Sequence, residues 1–123
     1  MMTGIVNASL EALLKVELQD SAGQWHEVEA VVDTGFNGSL TLSSAIIGLL
    51  GLPWVGRQQG QLADGSLLVF DVHSATIRWN GSLRIVEVEA ADAQPLVGME
   101  LLHGNDLFIR VKIGGAVSIA LSP

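Results

Sequence analysis

The sequence is organised around Val31-Val32-Asp33-Thr34-Gly35-Phe36-Asn37-Gly38. Its two valines are β-branched and are typical of the buried end of a strand. Asp33 would then lie where the strand leaves the core, followed by a tight loop at Thr34 and Gly35. A carboxylate beside the core costs several kcal/mol unless it is hydrogen-bonded or paired. Asp and Gly are also common turn residues, so the Asp-Thr-Gly tripeptide alone favours an ordinary turn over a catalytic loop.

The composition predicts one folded domain over residues 1–123, because 49% of the residues are hydrophobic and only 15% are charged. The formal charge is −7, which repels phosphate backbones, so we expect no nucleic-acid partner. The absence of cysteine excludes disulfides, thiol catalysis and thiolate metal sites. The three histidines, His26, His73 and His103, fall on separate predicted elements, and we expect neither a metal nor a cofactor.

No segment of the sequence predicts a membrane span or a secretory signal. The most apolar stretch, Leu40 to Val55, is interrupted by serines, glycines and Pro53 and is shorter than a bilayer requires. The N-terminus has no basic region followed by an apolar run. We therefore expect a cytoplasmic protein that does not associate with membranes.

Period-two alternation and turn dipeptides predict an all-β domain. The predicted strands are 14–18, 25–32, 39–42, 58–62, 66–72 continuing to 79, 83–90, 108–113 and 117–121. Asp64-Gly65 and Asn80-Gly81 predict tight hairpin turns, since both central positions of such turns can adopt positive φ. Ser43 or Ser44 would cap a brief helix through Leu50, which Gly51 and Pro53 close. A second helical turn is predicted from Met99 to His103, ended by Gly104.

Three features in this order resemble the retropepsin-like aspartic proteases, and specifically their small single-domain bacterial members. They are Asp33-Thr34-Gly35 after two apolar residues, a later Asp-Gly hairpin, and Leu96-Val97-Gly98 ahead of a short helix. The resemblance runs from about Leu14 to Val111. It implies an all-β, closed barrel with a flap hairpin and one or two short helices.

The resemblance also implies roles for particular residues. In that family two apolar residues and a glycine cradle the Asp-Thr-Gly loop, and here Leu96, Val97 and Gly98 match them. The flap over the substrate cleft matches Leu62, Ala63, Asp64, Gly65 and Ser66. Met99 and Glu100 stand where retroviral members often carry Arg and then Asp or Asn, so the Arg-centred ion pair near the dimer interface cannot form in the same way.

Catalysis of this kind needs two carboxylates, because two aspartates about 3 Å apart share one proton and act as acid and base on a water molecule. The chain has one Asp-Thr-Gly, so the second Asp33 must come from a second copy. We therefore expect a homodimeric aspartic endopeptidase acting on a peptide or protein substrate, with Asp33 as the catalytic residue and Thr34 and Gly35 forming its loop. The alternative is a dimeric module of the same fold that binds peptides without hydrolysing them.

The apolar strand at residues 117–121 has two interpretations. In retropepsins the termini of two protomers interleave into a shared sheet, and this segment could take that part. It could instead pair within its own chain through a hairpin at Gly114-Gly115.

Overall fold

Ten strands in one sheet and two short helices make up the computed structural model, which describes residues 1–123. Strands account for 54% of the residues and helices for 9%, so the all-β prediction is confirmed. The strands are β1 (Met2–Val6), β2 (Ala12–Gln19), β3 (Trp25–Val32), β4 (Leu40–Leu42), β5 (Trp54–Gln61), β6 (Leu67–Trp79), β7 (Ser82–Ala90), β8 (Leu96–Val97), β9 (Asn105–Ile109) and β10 (Ala116–Leu121). The helices are α1 (Ser44–Leu50) and α2 (Met99–Leu102).

The sheet curls back on itself but is only partly closed. Its strand order is β5-β6-β7-β4-β8-β3-β2-β1-β10-β9, with an additional pairing of β6 and β2. This closing contact places Glu17 opposite Arg78 and Leu18 opposite Ile77, and the Arg78 guanidinium donates to the Glu17 carboxylate at 2.6 Å. Because the strand pairing of β2 with β6 is limited to these two positions, the barrel is not clearly closed, and the prediction of a closed barrel holds only in part.

The core follows the alternation visible in the sequence. On β2 the side chains of Leu14, Val16 and Leu18 are buried, whereas Lys15 is exposed. Burying a side chain of this size stabilises the fold by about 1.5–3 kcal/mol. These residues belong to a cluster of 21 buried residues that also includes Ile47 of α1. The alternation of β2 therefore determines which side of the strand faces the core.

Both predicted helices are present and end close to where the sequence places them. The Ser43 hydroxyl accepts a hydrogen bond from the Ile46 N–H at 3.2 Å and so caps α1. Gly51 ends this helix, and His103 and Gly104 end α2. Neither helix has the length and apolar character needed to cross a lipid bilayer.

The strand β8 lies between β3 and β4, although β3 and β4 follow each other in the chain. It runs parallel to β3, with Val32 opposite Val97, and antiparallel to β4, with Leu40 opposite Val97. A strand inserted in this way forms hydrogen bonds with the end of β3 and with the start of β4. It therefore fixes the positions of both ends of the loop that connects β3 to β4, which contains Asp33, Thr34 and Gly35.

One strand prediction was wrong, and the N-terminal strand was missed. The predicted strand 108–113 is observed as Asn105–Ile109, because the chain turns after Ile109 and the Gly115 N–H donates to the Lys112 carbonyl oxygen at 2.7 Å. The β-branched side chains of Val111 and Ile113 favoured a strand in the sequence. In the structure these two residues lie beyond the strand and are 73% and 67% exposed. The strand β1 was not predicted, since Gly4 interrupts a short apolar segment and is a poor strand residue.

The C-terminal strand pairs within its own chain. β10 lies between β1 and β9 and is antiparallel to both, so neither of its edges is free. The interpretation in which residues 117–121 interleave with a second copy is therefore wrong. The two free edges of the sheet belong to β5 and β9.

Candidate active site

Asp33 follows directly after β3 and is held by three backbone contacts. Its N–H donates to the Val97 carbonyl oxygen at 2.9 Å, and its own carbonyl oxygen accepts from the Phe36 N–H at 3.2 Å. Its carboxylate oxygen Oδ1 accepts from the Gly35 N–H at 2.9 Å, as the sequence predicted. Asp33 is partly buried, whereas Thr34 and Gly35 are exposed. The carboxylate is therefore oriented by its own loop at an accessible position.

The three residues predicted to support this loop lie beside it. Val97 is fully buried next to β3 and β4. The Leu96 N–H donates to the Thr41 hydroxyl oxygen at 2.9 Å, and the Gly98 N–H donates to the Ser39 carbonyl oxygen at 3.0 Å. The structure thus brings residues 96–98 against residues 31–39, which are about sixty positions away in the sequence.

Gly98 allows the closest approach in the site. A Cβ at this position would lie 2.5 Å from Cδ2 and 2.7 Å from the carbonyl oxygen of Phe36, and closer still to the carbonyl oxygen of Gly38. The first N–H groups of α2 bind the same loop, from Met99 to the Phe36 carbonyl oxygen at 2.8 Å and from Glu100 to the Gly38 carbonyl oxygen at 3.2 Å. These donors have no partner inside the helix, so the loop satisfies them. Only glycine at position 98 permits this packing.

A cleft of about 660 Å³ separates the loop from the hairpin that β5 and β6 form. Its walls come from the loop, from that hairpin, from β7 and from α2, and they are formed by Phe36, Asn37, Gly38, Ser39, Gln58, Gln59, Gly60, Gln61, Phe70, Glu87, Glu89 and Glu100. Asp33 lies three residues before Phe36 and is not part of the lining. The cleft therefore starts beside the Asp33 loop and extends from it under the hairpin.

Three glutamates make one side of this cleft acidic. Burial, followed by repulsion from Glu87 and Glu100, raises the pKa of Glu89 above its usual value. The Gln58 amide donates to the Glu87 carboxylate at 3.4 Å, which links the hairpin to this side of the cleft. Sequence reasoning did not place these three residues in one cleft, although it singled out Glu100 as a departure from the retroviral pattern. The spacing of Glu87 and Glu89 shows that they share one face of β7, but not that this face borders the cleft.

The predicted flap residues form the tip of the β5–β6 hairpin. All of residues 62–66 are exposed. The Leu62 N–H donates to the Ser66 carbonyl oxygen at 2.8 Å, and the Gly65 N–H donates to the Leu62 carbonyl oxygen at 2.9 Å. Only Gly65, with φ of 86°, has positive φ here, so the turn is a three-residue loop rather than the two-residue turn predicted. At Asn80-Gly81 both residues have positive φ, as predicted.

The hairpin is anchored at its base and free at its tip. The Trp54 indole N–H and the Arg57 Nε–H both donate to Asp71 Oδ1, at 3.1 and 3.2 Å. These hydrogen bonds hold the pKa of the Asp71 carboxyl below its usual value. Hydrogen bonds from Ser66 do the same for the pKa of Asp64 at the tip. The tip contacts are all local to the turn, so movement of residues 62–66 would leave the base intact.

No group of three or more His, Cys, Asp or Glu side chains is placed to hold a metal ion. His26 of β3 contacts Asp20 at 2.7 Å. His73 lies on β6 and His103 follows α2, so the histidines remain on separate elements.

A comparison with solved structures places this geometry in a known fold. The chain is similar to a retropepsin-like aspartic protease from Rickettsia conorii, with a TM-score of 0.60 and 13% sequence identity over 97% of this chain and 90% of that chain. No protein-family model matches the sequence, and no curated protein matches it. The chain therefore has a retropepsin-like fold, as the order of Asp33-Thr34-Gly35 and Leu96-Val97-Gly98 implied.

Proposed function

We propose that the protein is a homodimeric aspartic endopeptidase in which Asp33 of each copy acts on one water molecule. The position of Asp33 carries the proposal. Its carboxylate stands at the end of a strand, oriented by the Gly35 N–H at 2.9 Å and beside a cleft. The backbone around it is held by β8 and α2 through close contacts at Gly98. Such rigid support is what a catalytic carboxylate requires and what an ordinary turn does not need.

The mechanism follows from placing two such carboxylates together. Two aspartates about 3 Å apart cannot both ionise, so one holds a proton and the other does not. The ionised carboxylate removes a proton from water as the water oxygen attacks the peptide carbonyl carbon, and the protonated one donates to the carbonyl oxygen. The C–N bond then breaks while the leaving amine takes the proton that the first carboxylate removed from water. The second carboxylate recovers its proton from a hydroxyl of the tetrahedral intermediate as the product carboxyl group forms.

An extended peptide is the substrate that suits the cleft. The volume of the cleft, about 660 Å³, falls within the range of about 300–1,000 Å³ typical of ligand sites. The cleft lies under a hairpin whose tip is free to move, which lets a chain enter from the side. We expect Thr34, which is exposed beside Asp33, to contact the matching loop of a second copy.

Mixing equal amounts of wild-type and Asp33→Asn protein tests whether the two copies share one site. If each site needs Asp33 from both copies, random exchange of subunits leaves activity at about one quarter of that of the same total amount of wild-type protein. If each subunit acts independently, about one half of that activity remains. Cleavage of a peptide library, followed by mass spectrometry after subunit exchange, distinguishes the two values. An equal mixture with heat-inactivated protein is the control, and activity near one half in the Asp33→Asn mixture would contradict the proposal.

A peptide-binding module is the second candidate, and one observation favours it. Asp33 is outside the lining of the cleft, so the cleft could hold a peptide without its cleavage. A peptide that binds the wild-type protein and is recovered intact after prolonged incubation would support the module. Against it, a binder gains nothing from placing two like charges together.

The flap tip is expected to exchange its amide protons rapidly, because residues 62–66 are exposed and bonded only within their own turn. Hydrogen exchange of residues 62–67 in the free protein measures this. In addition, Gly65→Val should disturb the turn, since a β-branched residue at positive φ is strained by roughly 1–3 kcal/mol. We expect kcat/KM to fall about tenfold or more as the flap is misplaced.

Gly81→Val is the matched control for this variant. Gly81 also has positive φ, at 79°, and is open to solvent at the turn between β6 and β7. We expect the Gly81→Val protein to lose about as much stability as the Gly65→Val protein but to keep the kcat/KM of the wild-type protein. Strong protection of residues 62–67, or equal loss of activity in both variants, would show that residues 62–66 are not a flap.

A further inference from the structure

The cleft beside the Asp33 loop carries negative charge that no basic side chain of the chain neutralises. Its lining contains Glu87, Glu89 and Glu100 but no lysine, arginine or histidine. The four ion pairs of the chain are all formed by other residues. Among them Arg57 of β5, which is not part of the lining, donates to the Asp71 carboxylate. The three glutamates are therefore available to a cationic group from outside the chain.

The carboxylate of Glu89 lies directly against the loop that follows Asp33. A Cβ at Gly38 would overlap Glu89 Oε2 and would lie 2.6 Å from Cζ of Phe36. Gly38 thus leaves room for the carboxylate beside the Phe36 ring. Burial, followed by repulsion from the other two glutamates, raises the pKa of Glu89, and no hydrogen bond to its carboxylate opposes this. A cation placed here would offset both effects, because an opposite charge nearby favours the ionised form.

Two phenylalanine rings border the same cleft. Phe36 comes from the loop and Phe70 from the β5–β6 hairpin, and both are partly buried. Lysine and arginine side chains bury their methylene stems along apolar surface while the charged end stays in a polar environment. Aromatic rings also attract a cation that lies over their faces. Walls that are aromatic and acidic together therefore match a basic side chain better than an apolar one.

A bare metal ion does not match this arrangement. A metal ion needs several ligands that converge on one point, and no three acidic or histidine side chains of the chain are placed in that way. The glutamates instead border a cleft of about 660 Å³, which has room for a long side chain. The shape of the cleft therefore favours an extended organic cation.

We propose that this cleft binds a lysine or arginine side chain of the peptide substrate, with the charged end at Glu89 and the stem along Phe36 and Phe70. The inference rests on the proposed function, because it assigns a sequence preference to the same peptidase. Asp33 is outside the lining, so the basic residue lies at a position beside the cleaved bond and not at the bond itself. The formal charge of −7 also attracts a basic peptide over longer distances.

Peptide binding to the Asp33→Asn protein tests the preference without cleavage. The probes are fluorescent octapeptide sets in which one position at a time is lysine, norleucine or glutamate and the others are a fixed mixture of uncharged residues. Norleucine has the same stem as lysine but no ammonium group. Fluorescence anisotropy gives the dissociation constant of each set. At one or more positions we expect lysine to bind about tenfold or more tighter than norleucine, and glutamate to bind more weakly than both.

Substitutions of the cleft glutamates, made in the same Asp33→Asn protein, assign the preference to these residues. Glu89→Gln should lower the affinity for the lysine sets by about tenfold and leave that for the norleucine sets unchanged. Adding Glu87→Gln and Glu100→Gln should make the two affinities nearly equal. Glu29→Gln is the matched control, because Glu29 is exposed on β3, outside the cleft, and its loss changes the charge of the chain equally.

Thermal unfolding shows whether these variants keep the fold. The Glu89→Gln protein should be at least as stable as its parent, because the buried charge that it lacks is unfavourable. This single variant decides the assignment if the triple variant does not fold. Unchanged affinity of the norleucine sets excludes collapse of the cleft as the reason for weaker lysine binding.

The outcomes separate this preference from the proposed activity. Equal affinity for the lysine and norleucine sets at every position, or a difference that survives the loss of the glutamates, would overturn the preference. Cleavage of the norleucine and lysine sets by wild-type protein at equal kcat/KM would also overturn it and leave the peptidase standing. Lysine sets that bind tightly through Glu89 but are never cleaved by wild-type protein would overturn the peptidase and leave the assignment of the cleft standing.

Discussion

Asp33→Asn should lower kcat/KM for peptide cleavage by about 10³-fold or more while leaving the fold intact. Asparagine has nearly the same volume, and its Oδ1 can still accept the hydrogen bond that the Gly35 N–H makes at 2.9 Å. It cannot remove a proton from water or share one with a second carboxylate, so the chemistry is lost and the geometry is kept. Cleavage of a peptide library, measured beside thermal unfolding, checks both parts of this expectation.

Asp92→Asn is the matched control. Asp92 makes one comparable contact, accepting from the Ser44 N–H at 3.2 Å, and the substitution changes the charge of the chain by the same amount. Full activity is expected. Retained cleavage by correctly folded Asp33→Asn protein would remove Asp33 from the catalytic mechanism.

Gly98→Ala should destabilise the fold by about 3 kcal/mol or more and abolish activity. The new methyl group would lie 2.5 Å from Phe36 Cδ2 and would overlap the Gly38 carbonyl oxygen. Backbone on both sides cannot move away without breaking the hydrogen bonds that join α2 to the loop. The Asp33 loop would therefore shift even in molecules that still fold. Urea denaturation gives the change in free energy of unfolding, and kcat/KM of the folded fraction gives the effect on the site.

Gly48→Ala is the control for this substitution. Gly48 lies in α1, and a Cβ there would meet no atom within 4 Å. Alanine in a helix interior is favoured over glycine by about 0.5–1 kcal/mol, so this variant should be slightly more stable and fully active. If Gly98→Ala matched the stability of the wild-type protein, the close packing of the loop against β8 and α2 would be wrong.

The elements that the sequence predicted well are those whose signal is local. Ser43 and Gly51 define the ends of α1 because a cap depends on residues three or four positions away. The alternation of Leu14, Val16 and Leu18 marks the core face of β2 because side chains on a strand alternate by geometry. Asn80-Gly81 forms its turn for the same kind of reason, since both residues tolerate positive φ.

Asp33 and its support from Leu96, Val97 and Gly98 were predicted in a different way. No periodicity connects residues so far apart in the chain, and only the resemblance to a known family linked them. The structure places them together through β8, which is two residues long and has little signal of its own. The contact depends on the crossing of β3, β8 and β4, which is a property of topology.

The sequence by itself determined the all-β class, both helices, most strands and the position of Asp33 at a strand end. Only the tertiary structure decided that Glu87, Glu89 and Glu100 border one cleft, that β10 is an interior strand and that β9 is an edge. The physical reason is that a strand's own residues specify which of its faces is apolar, whereas its neighbours are set by hydrogen bonds to segments far away in the chain. The residue pattern of a short apolar strand is therefore the same whether the strand lies at the centre of a sheet or at its edge.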